Sequence, residues 1–252
     1  MSLAAVVGFW ARRSFMKDQG DPDTSGQEAY IVSAVLGLLA LLMGFTLSLS
    51  LDRFETRRAL VLEEANAIGT AYLRTQLLRE PHRGRLTDLL VSYIDNRLAF
   101  AKTDSADERR ERLAADDQLT VDLWAATAAA FDEIRSTAFS TGYLDSINAV
   151  LDLDTSRRTA GAARVPAEVF GMLALFTLVA SGLLGFVLTG PRRRITATFL
   201  LLLMALALSL MLDIDRPSAG LVVEWQEPLE ALRASISAHP PDAYDRWRTP
   251  PA

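Results

Sequence analysis

The sequence predicts an all-α protein. Integral membrane helices hold it in a bilayer, a long helix extends from the first clear span into an aqueous antiparallel helical bundle, and a two-span hairpin lies near the C-terminus. Three observations predict this. Residues 30–51 carry no charged side chain, and about twenty apolar residues suffice to cross the hydrocarbon core as a helix. No proline interrupts the chain between Pro22 and Pro81, so the helix that starts in the span is free to continue. The charged middle of the chain keeps a three-to-four-residue apolar repeat and shows no convincing alternation of the kind a strand needs.

The chain divides by composition. Residues 1–29 form a short apolar stub, Leu3 to Trp10, and a polar loop around Pro22. The stub is too short to span and lacks a basic leader, so it is a poor signal peptide. Residues 30–51 are the first span. Leu51, Phe54, Val61, Ala65, Ile68 and Tyr72 then recur at helical spacing, which carries one helix to about Leu78, roughly 75 Å in all. Residues 52–166 form the aqueous helical domain. Its further helices are expected at Arg83 to Phe100, from Leu119 to Ala138, and at Tyr143 to Thr159, with Glu80-Pro81 and Gly142 as breaks. Short links between helices favour antiparallel neighbours. Residues 167–189 and 195–212 are the second and third spans, joined by a tight turn before Arg192, Arg193 and Arg194. Residues 213–252 hold a brief helix starting near Pro228 and a disordered tail marked by Pro240, Pro241, Pro250 and Pro251.

Composition excludes several functions. Acidic residues number 31 against 26 Lys and Arg, a net charge of −5 that suits no general nucleic-acid binder. There is no cysteine, hence no thiolate chemistry, and His82 and His239 are the only histidines. A histidine-based metal site or catalytic triad is therefore not expected. Asp213 with Asp215, and Glu63 with Glu64, are closely spaced carboxylates. The plain reading puts Asp215 in water and the glutamates on a solvated helix face, paired with Arg57 and Arg58 earlier on the same helix. No enzyme, metal or cofactor is expected.

Small side chains mark the first span. Ser33, Gly37, Ala40, Gly44 and Ser48 lie three or four residues apart, with Asp52 at the end of the row. Such a row lets helices approach closely in lipid. It reads as a pore-lining or oligomer-contact face, with Ser33, Gly37, Gly44, Ser48 and Asp52 as candidates, or as packing against the chain's own spans. Basic residues in short loops stay in the cytoplasm. That rule places the Arg192–Arg194 loop there, in a multi-pass protein of the bacterial inner membrane.

Two stretches carry a family resemblance: VLGLLALLMGFTLSLSLDRFETRRALVLEEANAIGTAYLR and LMLDIDRPSAGLVVEWQEPLEALRASI. Together they resemble the bacterial bestrophin-like membrane proteins. The most specific residues are Glu63, Glu64, Asn66 and Gly69 in the first, and Asp215, Pro217 and Gly220 in the second. The resemblance implies a relation to bestrophins, pentameric anion channels with a similar order of spans and helical domain. It implies no pore residue, because no selectivity neck matches. The reading that follows is an integral membrane protein in contact with the lipid bilayer, a homo-oligomer and an ion channel. The alternative is a membrane-anchored helical sensor or scaffold that transports nothing and binds an unknown protein partner.

Overall fold

The structure, a computed structural model, describes residues 22–103, 105–187, 191–216 and 224–247, with the helix course alone at 22–29 and 191–194. Every regular element among the described residues is helical: α1 (Pro22–Thr75), α2 (His82–Lys102), α3 (Ala106–Ile134), α4 (Phe139–Ala162), α5 (Ala167–Val187), α6 (Pro191–Asp215), α7 (Glu227–Ala238) and a 3-10 turn at Pro241–Tyr244. The all-α class and the membrane helices therefore hold. Among the described residues, three stretches are long and apolar enough to cross a bilayer: Tyr30–Thr75, Phe139–Val187 and Ile195–Asp215. The second takes in both α4 and α5, and its apolar part is α5.

Several expectations need correction. Pro22 does not sit in a loop. It opens α1, where its missing N–H costs nothing because first-turn donors have no helical partner. Residues 1–21, with the apolar stub, lie outside the described residues. Gly142 does not break a helix either; the break falls after Ile134, and Gly142 sits in the first turn of α4. There its carbonyl accepts a hydrogen bond from Arg74 Nη1. Arg192 to Arg194 belong to the first turn of α6. The tail from Pro240 to residue 247 is ordered, and Pro250 and Pro251 lie outside the described residues. Arg83 holds it, with Nη1 2.7 Å from Asp245 Oδ2 and Nη2 2.5 Å from the Pro241 carbonyl. Proline content alone signals disorder, but a long-range guanidinium contact overrides it.

The chain forms two compact units. One takes in the described residues of 1–53 and 164–216. Its core joins Leu39 and Met43 of α1 to Leu173 and Ala180 of α5 and to Met204 and Met211 of α6. Three buried hydroxyls satisfy themselves within their own helices. Thr46 donates to the Leu42 carbonyl at 2.9 Å, Thr177 to Leu173 at 2.7 Å and Ser181 to Thr177 at 2.6 Å. That closure matters where no water can serve as partner.

The other unit takes in the described residues of 54–163 and 217–252. Val61, Ile68 and Tyr72 of α1 pack with Leu86, Leu90 and Ile94 of α2, Leu123 of α3, Ile147 and Val150 of α4, and Leu229 and Ile236 of α7. Each such side chain contributes about 1.5–3 kcal/mol on burial. A short link joins α2 to α3, and the two helices run antiparallel. Asn96 Nδ2 donates to the Arg112 carbonyl at 2.9 Å, and the Arg109 guanidinium lies 4.5 Å over the Phe100 ring.

Candidate functional site

Two constellations stand out, one in each unit. The first is the small-residue row of α1. Ser33, Gly37, Ala40, Gly44, Ser48 and Asp52 are all exposed. A Cβ added at Gly37 or Gly44 would meet nothing within 4 Å. The helix buries its other side instead, through Val32, Leu39, Met43, Thr46 and Ser50. The described spans of the chain therefore do not cover this row. A separate exposed face carries large apolar groups, including Leu38, Leu41, Phe45 and Leu49. Large groups suit lipid chains, while hydroxyls and bare backbone suit water or a close helix.

The second constellation is an ion network inside the helical bundle. Glu64 is its centre, at 0% exposure. Its Oε1 accepts the Tyr93 hydroxyl at 2.7 Å and pairs with Arg97 Nη2 at 3.2 Å; Oε2 pairs with Arg157. Arg97 Nη1 also reaches Asp116 Oδ2 at 3.0 Å and Asp154 Oδ1 at 3.3 Å. Arg158 bridges the same two carboxylates, Nη2 to Asp116 at 3.1 Å and Nε to Asp154 at 2.8 Å. Arg57 Nε lies 3.2 Å from Glu224 Oε1, and Arg157 Nη2 lies 3.8 Å from Glu224 Oε2. The network thus draws on α1, α2, α3, α4 and the residue run before α7. Charges taken out of water persist only when paired and hydrogen-bonded. Here Arg57, Arg97, Arg157 and Arg158 are balanced by Glu64, Asp116, Asp154 and Glu224.

Burial also sets protonation. The Asp116 carboxyl is pushed up to about 6, first by burial, against the pull of Arg97 and with the help of Asp154, whose negative charge and hydrogen bond both favour a proton on Asp116. The Tyr93 hydroxyl is raised well above its ordinary value by burial and then by Glu64. For Arg97 burial pulls downward, but Glu64 and the other partners prevail and its pKa ends raised. The guanidinium therefore stays charged.

Sequence reasoning placed Glu64 on a solvated face and paired it with Arg57 or Arg58. The structure corrects both points. Only Glu63 is exposed; Glu64 faces inward, and Arg57 pairs with Glu224 instead. A signal was present. Glu64 follows Val61 by three residues and precedes Ile68 by four, so it shares their buried side. Asn66 is exposed, and Gly69 lies where a Cβ would meet Leu232 Cδ1 at 3.3 Å, a close approach to α7. Asp215 is likewise not in water but 5% exposed. Its Oδ1 accepts the Val165 N–H at 3.0 Å, and its carbonyl accepts Arg164 Nη1 at 3.1 Å, tying the end of α6 to the approach to α5. Pro217 and Gly220 lie outside the described residues. Among the described residues, no group of three or more His, Asp or Glu is arranged to hold a metal ion.

The Bestrophin-like domain matches residues 1–223 of the sequence. The chain belongs to the bestrophin-like family. Solved structures agree at the level of fold. Crystal structures of a bacterial bestrophin homologue from Klebsiella pneumoniae, each a point variant, superpose with TM-scores of 0.69 and 0.68 at 17% identity. The first covers 97% of this chain and 96% of its own, the second 94% and 93%. A third, phased on zinc, gives 0.64 at 19% identity, over 93% of this chain and 92% of its own. No curated protein matches the chain. The bestrophin-like fold thus confirms the resemblance read from the EEANAIG and DRPSAG stretches, and it accounts for the apolar helices as membrane helices.

Proposed function

We propose that this bestrophin-like protein is a homo-oligomeric ion channel, with the row Ser33, Gly37, Gly44, Ser48 and Asp52 facing the axis. One observation carries the reading: the small-residue row Ser33, Gly37, Ala40, Gly44 and Ser48 is exposed, while the other side of the same helix, through Val32, Leu39, Met43, Thr46 and Ser50, is buried. Copies around an axis would line a narrow path with hydroxyls and glycine backbone, a known way to build a pore. The three described spans of one chain enclose no path by themselves, so the reading requires assembly. Leu62 and Leu73, each about half exposed further along α1, and Leu77 just past its end offer apolar surface for it. The kinship with bestrophins points to anions; a ring of Asp52 carboxylates favours cations at that end, and reversal potentials in a chloride gradient read the choice.

Native mass spectrometry in nanodiscs is expected to give a single closed oligomer, and planar bilayers a conductance. Gly44→Phe is expected to cut that conductance at least tenfold while leaving the copy number unchanged. A protein monomeric in both mild detergent and lipid ends the proposal.

We also propose the bacterial inner membrane as its location, with Arg192–Arg194 cytoplasmic by the positive-inside rule. A cysteine introduced at Ser105, in the segment between the first and second spans, then lies outside. It should react with an impermeant maleimide on intact cells. Labelling only after lysis reverses the orientation.

A further inference from the structure

We infer that a cavity in the helical bundle binds a small organic oxyanion, a carboxylate or phosphate group attached to an apolar body. The cavity is about 370 Å³, within the range of small-molecule sites. Arg57, Arg97, Arg109, Arg157 and Arg158 line it, against the single carboxylate of Glu224. The acids that balance these arginines, Glu64, Asp116 and Asp154, do not line it. The wall is therefore cationic, and its counter-charges stand behind the guanidiniums.

Arg109 strengthens the case. Among the described residues no carboxylate pairs with it; its Nη1 donates to the Thr103 carbonyl at 3.3 Å and its guanidinium lies over Phe100. A guanidinium presents several donors in a planar fork that matches a carboxylate or phosphate, and an aromatic ring beneath holds the fork in place. The rest of the wall includes Phe100, Leu113 and Ala162. Those groups fit an apolar body, which a bare inorganic anion lacks. Fixed arginines already ordered by their own ion pairs lose little freedom when a ligand arrives. This site does not depend on whether the protein conducts ions.

The test is calorimetric titration of the full chain in neutral detergent, using phenyl phosphate and benzoate as probes. At least one should bind with one site per chain. Benzyl alcohol should not bind, and inorganic phosphate should bind at least tenfold more weakly. Arg109→Gln should weaken the anion at least tenfold while the unliganded melting temperature stays unchanged. Leu113→Trp, which fills the cavity, should abolish binding and serves if the arginine variant fails to fold. A short-chain phosphatidic acid binding more tightly than phenyl phosphate assigns a lipid headgroup as the source; the reverse order assigns a soluble anion, and either supports the site. Absence of binding by both anions, equal binding by benzyl alcohol, or unchanged affinity in folded Arg109→Gln overturns it.

Discussion

Glu64→Ala is expected to destabilise the helical bundle by about 3–5 kcal/mol, because removing one partner of a buried ion pair leaves the other charge uncompensated. Here the stranded charges are two. Arg97 and Arg157 both point at the Glu64 carboxylate, and the side chains are 5% and 11% exposed, too little for water to take its place. The Tyr93 hydroxyl loses its acceptor as well. Glu63→Ala, one position earlier on an exposed face, is expected to stay within about 0.5 kcal/mol of the parent. Thermal unfolding in one detergent, followed by circular dichroism, compares the two. Equal effects at the two positions would mean that α1 is rotated from the register described.

The second expected result is a pH dependence with an unusual sign. Most paired carboxylates lose stability as they are protonated; Asp116 should gain it. Its folded-state pKa, about 6, lies above the ordinary value of 3.8. Between those values the folded state holds a proton that the unfolded state releases. Stability from this group is therefore fully present below about pH 4 and is lost as pH rises through 6, by about 2–3 kcal/mol in all. Other groups titrate over the same window, so the reading is a difference. Asp116→Asn imitates the protonated form, since its amide can donate toward Asp154 and accept from Arg97 and Arg158. Relative to that variant, the parent should lose stability from pH 4 to pH 7. A difference that is flat with pH, or that rises, contradicts the assignment. The groups facing Asp116 are Asn96 and Arg97 of α2 and Asp154 and Arg158 of α4. Arg97 and Arg158 remain charged across the window, so the change is assigned to the Asp116 carboxyl.

Much of this molecule is legible along the chain. Three apolar runs announce membrane helices because length and hydropathy are local and the bilayer has one thickness. The three-to-four-residue repeat at Val61, Ala65, Ile68 and Tyr72 announces helix because its period survives whatever the helix packs against. The EEANAIG and DRPSAG stretches announce the family. Errors came where a local cue met a distant partner. Prolines beyond residue 239 suggested disorder, but Arg83, 162 positions earlier than Asp245, holds that segment. Asp215 looked like a charge at a water boundary, yet it is buried against Val165, 50 positions away.

Glu64 shows the division most clearly. Its inward direction follows from the repeat around it and was readable. Its partners were not: Tyr93 is 29 positions away and Arg157 is 93, on separate helices. Helical class, membrane spans and kinship come from the order of residues, since they depend on neighbours within a turn or two. The pairing of buried charges, the cationic cavity, and the bare side of α1 arise only when helices distant in sequence meet, because a charge or a glycine acquires its role from what lies against it in space.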